Sequence, residues 1–513
     1  MTNPSSAASS TAHPSEPVEN LLRRRLITAA CMMAIFMAAV EGTIVATAMP
    51  TIVAELGGFR LFSWVFTAYF LAQAVTTPIY GRLADLFGRK RVFFVGACIF
   101  LIGSTACGLT DRMVALIAFR ALQGLGAGAI QSIATTIIGD SYAPAERARL
   151  QGWLSSIWGL AAVIGPVLGA FIVEHLHWAF VFWINLPIGL AAIAILAVFL
   201  HERLTPRRHQ IDYLGSALLM LGVGAIMLVV VQAESLDRPV IAALLIAGTL
   251  ALLLLVVNER RSREPIVPFA LLRHRIIAAG NLGGLAIGAL LTCVVGFLPT
   301  YVQGAMGRSP TTTGIVIAVL SVAWALASIA AGRLMVKTSY RLTGALGALA
   351  LIFGCVILVA IDETYSLAWV NAGATLIGIG MGFCNTTFLV SVQASVGWSE
   401  RGAVTSSVLF MRTIGQALGA GIAGAILNFS LARAAPTAGD TLNQLLTPSL
   451  RATLDRNTIA QLSHAIAGSL HEVYVIAGVL AALTLALCAL LPAGARPTQT
   501  GAGGPGGASQ GRV

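Results

Sequence analysis

Charge is what this 513-residue chain has least of: Asp, Glu, Lys and Arg make up 10% of it, against 57% hydrophobic residues. A soluble globular chain carries about 25% charged residues, and without them so much apolar surface cannot be wetted. The water-soluble classes are therefore excluded, and the mean hydropathy of +0.85 points to a bilayer as the solvent. The seven cysteines, Cys31, Cys98, Cys107, Cys293, Cys355, Cys384 and Cys488, are odd in number and show no Cys-x-x-Cys spacing. Neither a disulfide framework nor a sulfur-ligated metal follows, and all seven, lying in apolar runs, read as buried small hydrophobes. No Gly-x-x-x-x-Gly-Lys-Ser/Thr loop occurs, which excludes ATP hydrolysis by this chain. The Gly-x-Gly-x-x-Gly at Gly419, Gly421 and Gly424 has no strand before it and suits close helix packing in an apolar span. With no Ser/His/Asp or Cys/His set at one membrane depth, no enzyme chemistry and no cofactor are expected. His175 and His177 beside Glu174 read as interfacial residues rather than metal ligands.

Long apolar runs are what the chain does have. A spanning helix needs about 20 apolar residues, and fourteen such runs are expected, at 26–48, 60–80, 92–110, 113–138, 147–173, 178–200, 211–233, 239–257, 276–303, 311–335, 341–361, 366–395, 402–430 and 470–491. They are apolar on all faces, whereas barrel strands alternate over ten residues, so the fold class is an all-α polytopic membrane protein. The tails at 1–25 and 492–513, rich in Ser, Pro, Gly and Ala, are expected to be disordered. Alternate loops carry 23 and 7 of the 32 basic residues, with Arg120 and Arg412 inside spans. By the positive-inside rule both termini are cytoplasmic, in the inner membrane. The +11 net charge is then topology rather than a nucleic-acid surface.

The chain repeats itself. Ile164 to Ala170 recurs as Ile414 to Ala420, Gly124 to Gly128 as Gly378 to Gly382, and Gly81-Arg82-Leu83 as Gly332-Arg333-Leu334, at offsets of 250, 254 and 251. Transporters are commonly built from duplicated helical halves. The expected organisation is a six-helix half at 26–200, a linker with two extra spans at 201–275, and a second half at 276–491. The longest outer loop, 431–469, with amphipathic stretches such as Asn443 to Leu454, is expected to form a lid, the alternative being a contact with a periplasmic adaptor protein.

Charged groups inside spans are costly and mark function by default. Glu41 in span 1 is the candidate for binding a proton or a cationic substrate, the structural alternative being an ion pair with Arg120 or Arg412. Arg120 has the apolar counterpart Ala374 in the repeat, an asymmetry that suits coupling. Arg412, near one end of span 13, is the third candidate and could snorkel. The segment from Gly81 to Arg91 packs five charges, Asp85, Arg89 and Lys90 among them, between Gly81 and Gly88 and into the next span, and reads as a latch at the inner mouth. Gly165, Pro166 and Gly169 are expected to bend span 5 and to allow close packing. Asn385 and Gln393 in span 12 are candidate cavity contacts.

At these residues the sequence resembles the major facilitator superfamily, and within it the fourteen-span drug:proton antiporter branch of QacA/EmrB type. Gly81, Leu83, Ala84, Asp85, Gly88, Arg89 and Lys90 match the loop motif. Arg120, Gln123, Gly124 and Gly126 match the span-4 motif, and Gly165, Pro166 and Gly169 the span-5 antiporter motif, with Ala170 in place of a usual glycine. Trp178 to Gly189 and Phe297 to Gly314 match branch-level signals. Span 1 departs from the pattern, carrying Val40-Glu41-Gly42-Thr43-Ile44-Val45 where an aspartate is usual. The resemblance implies a major facilitator fold of two six-helix halves plus two inserted helices. It also implies proton-coupled export of lipophilic, often cationic small molecules by alternating access. The alternatives are an exporter of one metabolite or siderophore and a non-transporting sensor or scaffold.

Overall fold

Inside a bilayer every backbone N–H and C=O must be paired within its own segment, so these apolar runs have to become long helices. The computed structural model describes residues 18–140, 142, 144–202, 212–232, 236–261, 273–362, 364–397, 401–435, 439–446, 451 and 453–493, and among them there is no strand. The first bundle comprises α1 (Val18–Leu56), α2 (Phe62–Phe87), α3 (Arg89–Leu109), α4 (Met113–Asp140), α5 (Pro144–His175), α6 (Phe180–Trp183) and α7 (Asn185–Phe199). Next come α8 (Tyr213–Gln232) and α9 (Arg238–Arg261). The second bundle comprises α10 (Arg275–Val295), α11 (Pro310–Lys337), α12 (Tyr340–Ala360), α13 (Leu367–Ala394), α14 (Arg401–Ala434), α15 (Gly439–Leu446) and α16 (Arg456–Cys488). A π-helical turn at Tyr301–Ala305 follows α10.

Twelve segments among the described residues are long and apolar enough to cross a membrane, and the chain is a multi-pass membrane protein. The fourteen expected are not all met. Gln73, Thr76, Thr77, Pro78, Arg82 and Asp85 dilute the apolar run of α2, and the described apolar stretch of α8 is only Ala217–Val229. The expected N-terminal tail is also shorter than 1–25, because α1 begins at Val18. Residues 1–17 and 494–513, parts of the 201–275 linker and positions 436–438, 447–450 and 452 of the expected outer loop lie outside the described residues. Six of the cysteines are buried, but Cys98 is exposed on α3, because a helix against lipid needs no polar face to turn outward.

The two bundles share one packing plan. α4 lies between α2 and α3, and α13 lies between α11 and α12, while α1 pairs with α5 as α10 pairs with α14. The repeated glycines perform the same task in each. A Cβ on Gly124 would stand 2.3 Å from the carbonyl oxygen of Tyr69, and one on Gly378 would stand 2.2 Å from that of Leu320. Gly126 likewise meets Phe100 and Gly96 where Gly380 meets Leu351 and Gly347. Each partner is displaced by 251 residues, so the repeat in sequence is a repeat of backbone-to-backbone contacts. The bundles meet through α5 against α11 and α2 against α14, with α8 leaning on α2 and α14.

The seam is closed at the end remote from the chain termini. There Thr311 N–H donates to Glu174 at 2.8 Å and Asn428 to the Arg60 carbonyl at 2.8 Å. Gln303 donates to the Thr47 carbonyl at 3.3 Å, and Phe62 and Phe297 pack edge to face at 5.0 Å. Described parts of the 431–469 segment, expected as the outer loop, lie over this end. Leu442 and Leu445 of α15 are buried in the main core, and Arg451 donates to the carbonyls of Gln303 and Gly304 at 3.3 and 2.9 Å. At the terminal end a Cβ on Gly81, Gly139, Gly332 or Gly402 would meet no heavy atom within 4 Å.

Candidate functional site

α1 carries Glu41 into the first bundle at a point where Gly165 and Gly169 let α5 approach. A Cβ on Gly165 would stand 2.1 Å from Thr43 Oγ1, and one on Gly169 2.8 Å from the Ile44 carbonyl. The three expected hinge residues therefore act first as packing residues. α5 runs unbroken through Pro166, and the Pro166 carbonyl stands 2.8 Å from where a Cβ on Gly314 of α11 would be, so the motif is pressed between α1 and the other bundle.

Glu41 and Arg120 are both fully buried, at 0% exposure. Arg120 Nη1 donates to Glu41 Oε1 in a salt bridge and to Gln123 Oε1 at 2.7 Å, while its Nε donates to the Val65 carbonyl at 3.2 Å. The second carboxylate oxygen of Glu41 accepts from Asn185 Nδ2 at 2.7 Å. Ser104 Oγ accepts from Asn185 at 3.0 Å and from Gln123 at 3.1 Å, and donates to the Phe182 carbonyl at 2.8 Å. The guanidinium carbon stands 4.0 Å above the Tyr69 ring. Six helices, α1, α2, α3, α4, α6 and α7, thus meet in one buried polar network. Two of its ends are open: Arg120 Nη2 and the Tyr69 hydroxyl are buried with no hydrogen-bond partner.

The network belongs to one bundle. Gly165 and Gly169 face the carbonyls of Val40 and Ile44, and Gly415 and Gly419 face those of Leu285 and Ala289, which sets Ala286 where Glu41 stands. By the offsets of the other helices, Ala374 replaces Arg120, Ile377 replaces Gln123, Cys355 replaces Ser104 and Leu320 replaces Tyr69. All five replacements are buried.

Of the expected ion pairs for Glu41, the structure forms the one with Arg120 and not the one with Arg412. Arg412 does not snorkel to a membrane surface. It lies half-buried over Trp158 of the first bundle at 5.7 Å, and its Nη1 reaches Asn385 Oδ1 at 3.5 Å. Its Nε is buried without a partner. Asn385 is therefore beside Arg412, whereas Gln393 is held by a 2.9 Å bond to Thr405 a little over two helical turns nearer the terminal end.

The segment expected as a latch loop is nearly all helix. Gly81 to Phe87 continue α2, Arg89 opens α3, and Gly88 alone breaks the path with φ 90° and ψ 146°. Only glycine adopts that conformation cheaply. The start of α3 is capped by Glu202, whose carboxylate accepts from Arg89 N–H at 3.0 Å and Lys90 N–H at 3.2 Å. Lys90 Nζ in turn donates to the carbonyls of Ala197 and Leu200 at 2.6 and 2.9 Å, closing the end of α7. Asp85 is exposed in the last turn of α2. At the far end, Glu174 accepts from Thr311 and His177 binds Glu55 at 3.0 Å, so Glu174, His175 and His177 do not converge.

Sequence reasoning missed Asn185, Ser104, Tyr69, Trp158 and Glu202. Asn185 had a signal, since it lies within the Trp178 to Gly189 stretch. The others are ordinary polar or aromatic residues whose meaning depends on partners from 19 to 254 residues away.

Two membrane-embedded helical bundles with the same internal plan, meeting along a seam that is closed at the end remote from the termini, make a carrier rather than an enzyme. The chain belongs to the Major Facilitator Superfamily, whose family model matches residues 31–420. It is 34% identical over 409 residues to the multidrug transporter protein MdtP of Bacillus subtilis, covering 79% of this chain and 76% of that one. It is 32% identical over 408 residues to multidrug resistance protein 3 of Bacillus subtilis, covering 78% and 79%. Among solved structures, a bacterial homolog of the human lysosomal transporter Spinster, in an inward-facing and unoccupied conformation, superposes with a TM-score of 0.66 at 15% identity. That match covers 93% of this chain and 98% of the other.

Proposed function

We propose that this transporter is a proton-coupled exporter of lipophilic, often cationic compounds, of the fourteen-span branch, working by alternating access in the cytoplasmic membrane with both termini inside. The observation that carries the reading is the one-sided network: a buried acid and guanidinium kept in one bundle and replaced by alanines in the other. The efflux relatives, Bacillus MdtP among them, support the substrate class. The helix order supports fourteen spans, since α2 and α8 lie at the two expected positions that composition alone leaves out.

The chemistry follows from charge balance. With Glu41 ionised the pair is neutral; when Glu41 takes a proton, Arg120 is left as an unpaired cation in a dry site, at a cost of several kcal/mol. That cost is relieved in a conformation where water or substrate reaches Arg120. Proton binding therefore selects between states, and Nη2 and the Tyr69 hydroxyl are the groups free to meet the newcomer. The supply is sufficient: one charge crossing 100 mV is worth about 2.3 kcal/mol, and one pH unit about 1.4. In this reading Gly165, Pro166 and Gly169 form the sliding contact between α1, α5 and α11. Asp85, Arg89 and Lys90 close the inner mouth in the opposite state, while Arg412 and Asn385 line the cavity.

The test is uptake of a fluorescent lipophilic cation by proteoliposomes under an imposed pH gradient, with wild type beside Glu41→Gln. Gradient-driven uptake that the folded variant lacks is the expected result. Normal uptake by the variant would remove Glu41 from the mechanism, and no uptake by wild type would replace the multidrug reading with a narrow-substrate exporter.

A further inference from the structure

A cavity of about 380 Å³ opens at the terminal end of the second bundle, away from the seam, between the starts of α10 and α12 and the end of α16. That is within the 300–1,000 Å³ typical of small-molecule sites and too large for a lone ion. Its lining includes the basic His274, Arg275 and Arg341 and the apolar Ile276, Leu490 and Leu491, with no acidic side chain among them. Arg341 is anchored, one guanidinium nitrogen donating to the Ala489 carbonyl, which fixes its fork at the mouth. Arg275 and His274 are exposed and spend no donor on the protein. The first turns of α10 and α12 also end here, adding the partial positive charge of two helix N-termini. Just inside the helix ends, Leu282, Leu342 and Leu346 are exposed at 52%, 48% and 44%, as side chains against acyl chains are. The cavity therefore stands at the edge of an exposed apolar surface suited to lipid.

We propose that it binds the phosphate of an anionic phospholipid headgroup. Two guanidinium forks match phosphate oxygens in pairs, and the apolar wall takes the start of the acyl chains. Basic pockets between spanning helices are the physical form of such sites. The occupant would tie α10, α12 and α16 together at their ends without touching Glu41 or the seam, so the proposal stands or falls apart from the transport reading.

The experiment uses the full-length protein in neutral detergent, with lipid retention followed by native mass spectrometry and unfolding by a thermal ramp. The probes are phosphatidylglycerol, phosphatidylcholine and inorganic phosphate. Phosphatidylglycerol is expected to remain bound and raise the unfolding temperature, while phosphatidylcholine and phosphate do neither. Arg275→Gln, which breaks no hydrogen bond of the protein, is expected to weaken retention about tenfold, the loss of one charge-assisted pair. Arg341→Lys is expected to weaken it too while leaving the fold intact, and Arg333→Gln, a basic residue of the same end outside the cavity, to change nothing. Equal retention by wild type and Arg275→Gln would overturn the proposal. Stabilisation by inorganic phosphate matching that by phosphatidylglycerol would overturn the lipid assignment and leave a soluble phosphate site.

Discussion

At the scale of single residues, the Glu41–Arg120 pair makes a sharp prediction about stability. Removing one member of a buried ion pair strands the other and costs about 3–5 kcal/mol, whereas replacing both by apolar groups is often neutral. Glu41→Ala and Arg120→Ala are each expected to lower the unfolding temperature in detergent markedly, and the double variant to recover most of the loss while lacking gradient-driven transport. The double variant would carry alanine at both positions, as the second bundle does at Ala286 and Ala374. A double variant as unstable as the sum of the singles would sink the account. Which residues carry charge within spans was legible in the sequence, because so few do. The partners were not. Asn185 reaches Glu41 across 144 residues and Ser104 across 81, and no local pattern marks a serine that closes a network.

At the scale of helices, glycines divide by what stands opposite them. Gly126 and Gly380 face backbone atoms within 2.6 Å of a built Cβ, which cannot yield. Gly126→Ala and Gly380→Ala are expected to cost about 1–3 kcal/mol by overpacking. Gly81→Ala and Gly332→Ala face open space inside helices and are expected to be neutral or to gain up to about 1 kcal/mol from helix propensity; thermal unfolding of the four variants checks both. The repeat was legible as glycine spacing, but the sequence could not say that Gly81 lies in a helix, since glycine and charge together read as loop. α16 makes a second prediction. Asp455 caps it by accepting from Thr458 N–H at 3.0 Å, and the hydroxyl and N–H of Thr458 hold its carboxyl below the usual carboxylate range. A depressed folded pKa means that the cap is intact above the unfolded value of about 3.9 and is lost as pH falls through the lower, folded value. Protection of the first-turn amides of α16 against hydrogen exchange, relative to the intrinsic rate at each pH, is therefore expected to fall with acid over that window in wild type and to be low at every pH in Asp455→Ala.

At the scale of the whole molecule, the two ends of the seam behave differently. A cysteine pair at Glu174 and Thr311, where the bundles touch, is expected to oxidise readily and stop transport, with reduction restoring it. A pair at Gly81 and Gly332, where nothing lies within 4 Å of either built Cβ, is expected to stay reduced in the resting protein. Rapid cross-linking of the second pair at rest would show that the terminal end is not open. Composition made the all-helical membrane class legible, because 10% charge leaves no other solvent. Span counting from hydropathy was less secure, since α2 pays for its place in the seam with polar residues that lower its apolar character.

The restriction of the Glu41–Arg120 network to one bundle bears on the electrical bookkeeping of the cycle. Among the described residues the other buried carboxylate, Glu259, sits two residues from the end of α9, which leaves Glu41 as the single interior acid. Under the proposed proton coupling, a carrier with one such acid would exchange one proton per turnover. A monovalent cation leaving against that proton moves no net charge, so its export would answer to the pH gradient and be blind to voltage. A neutral compound leaving by the same route would be driven by both.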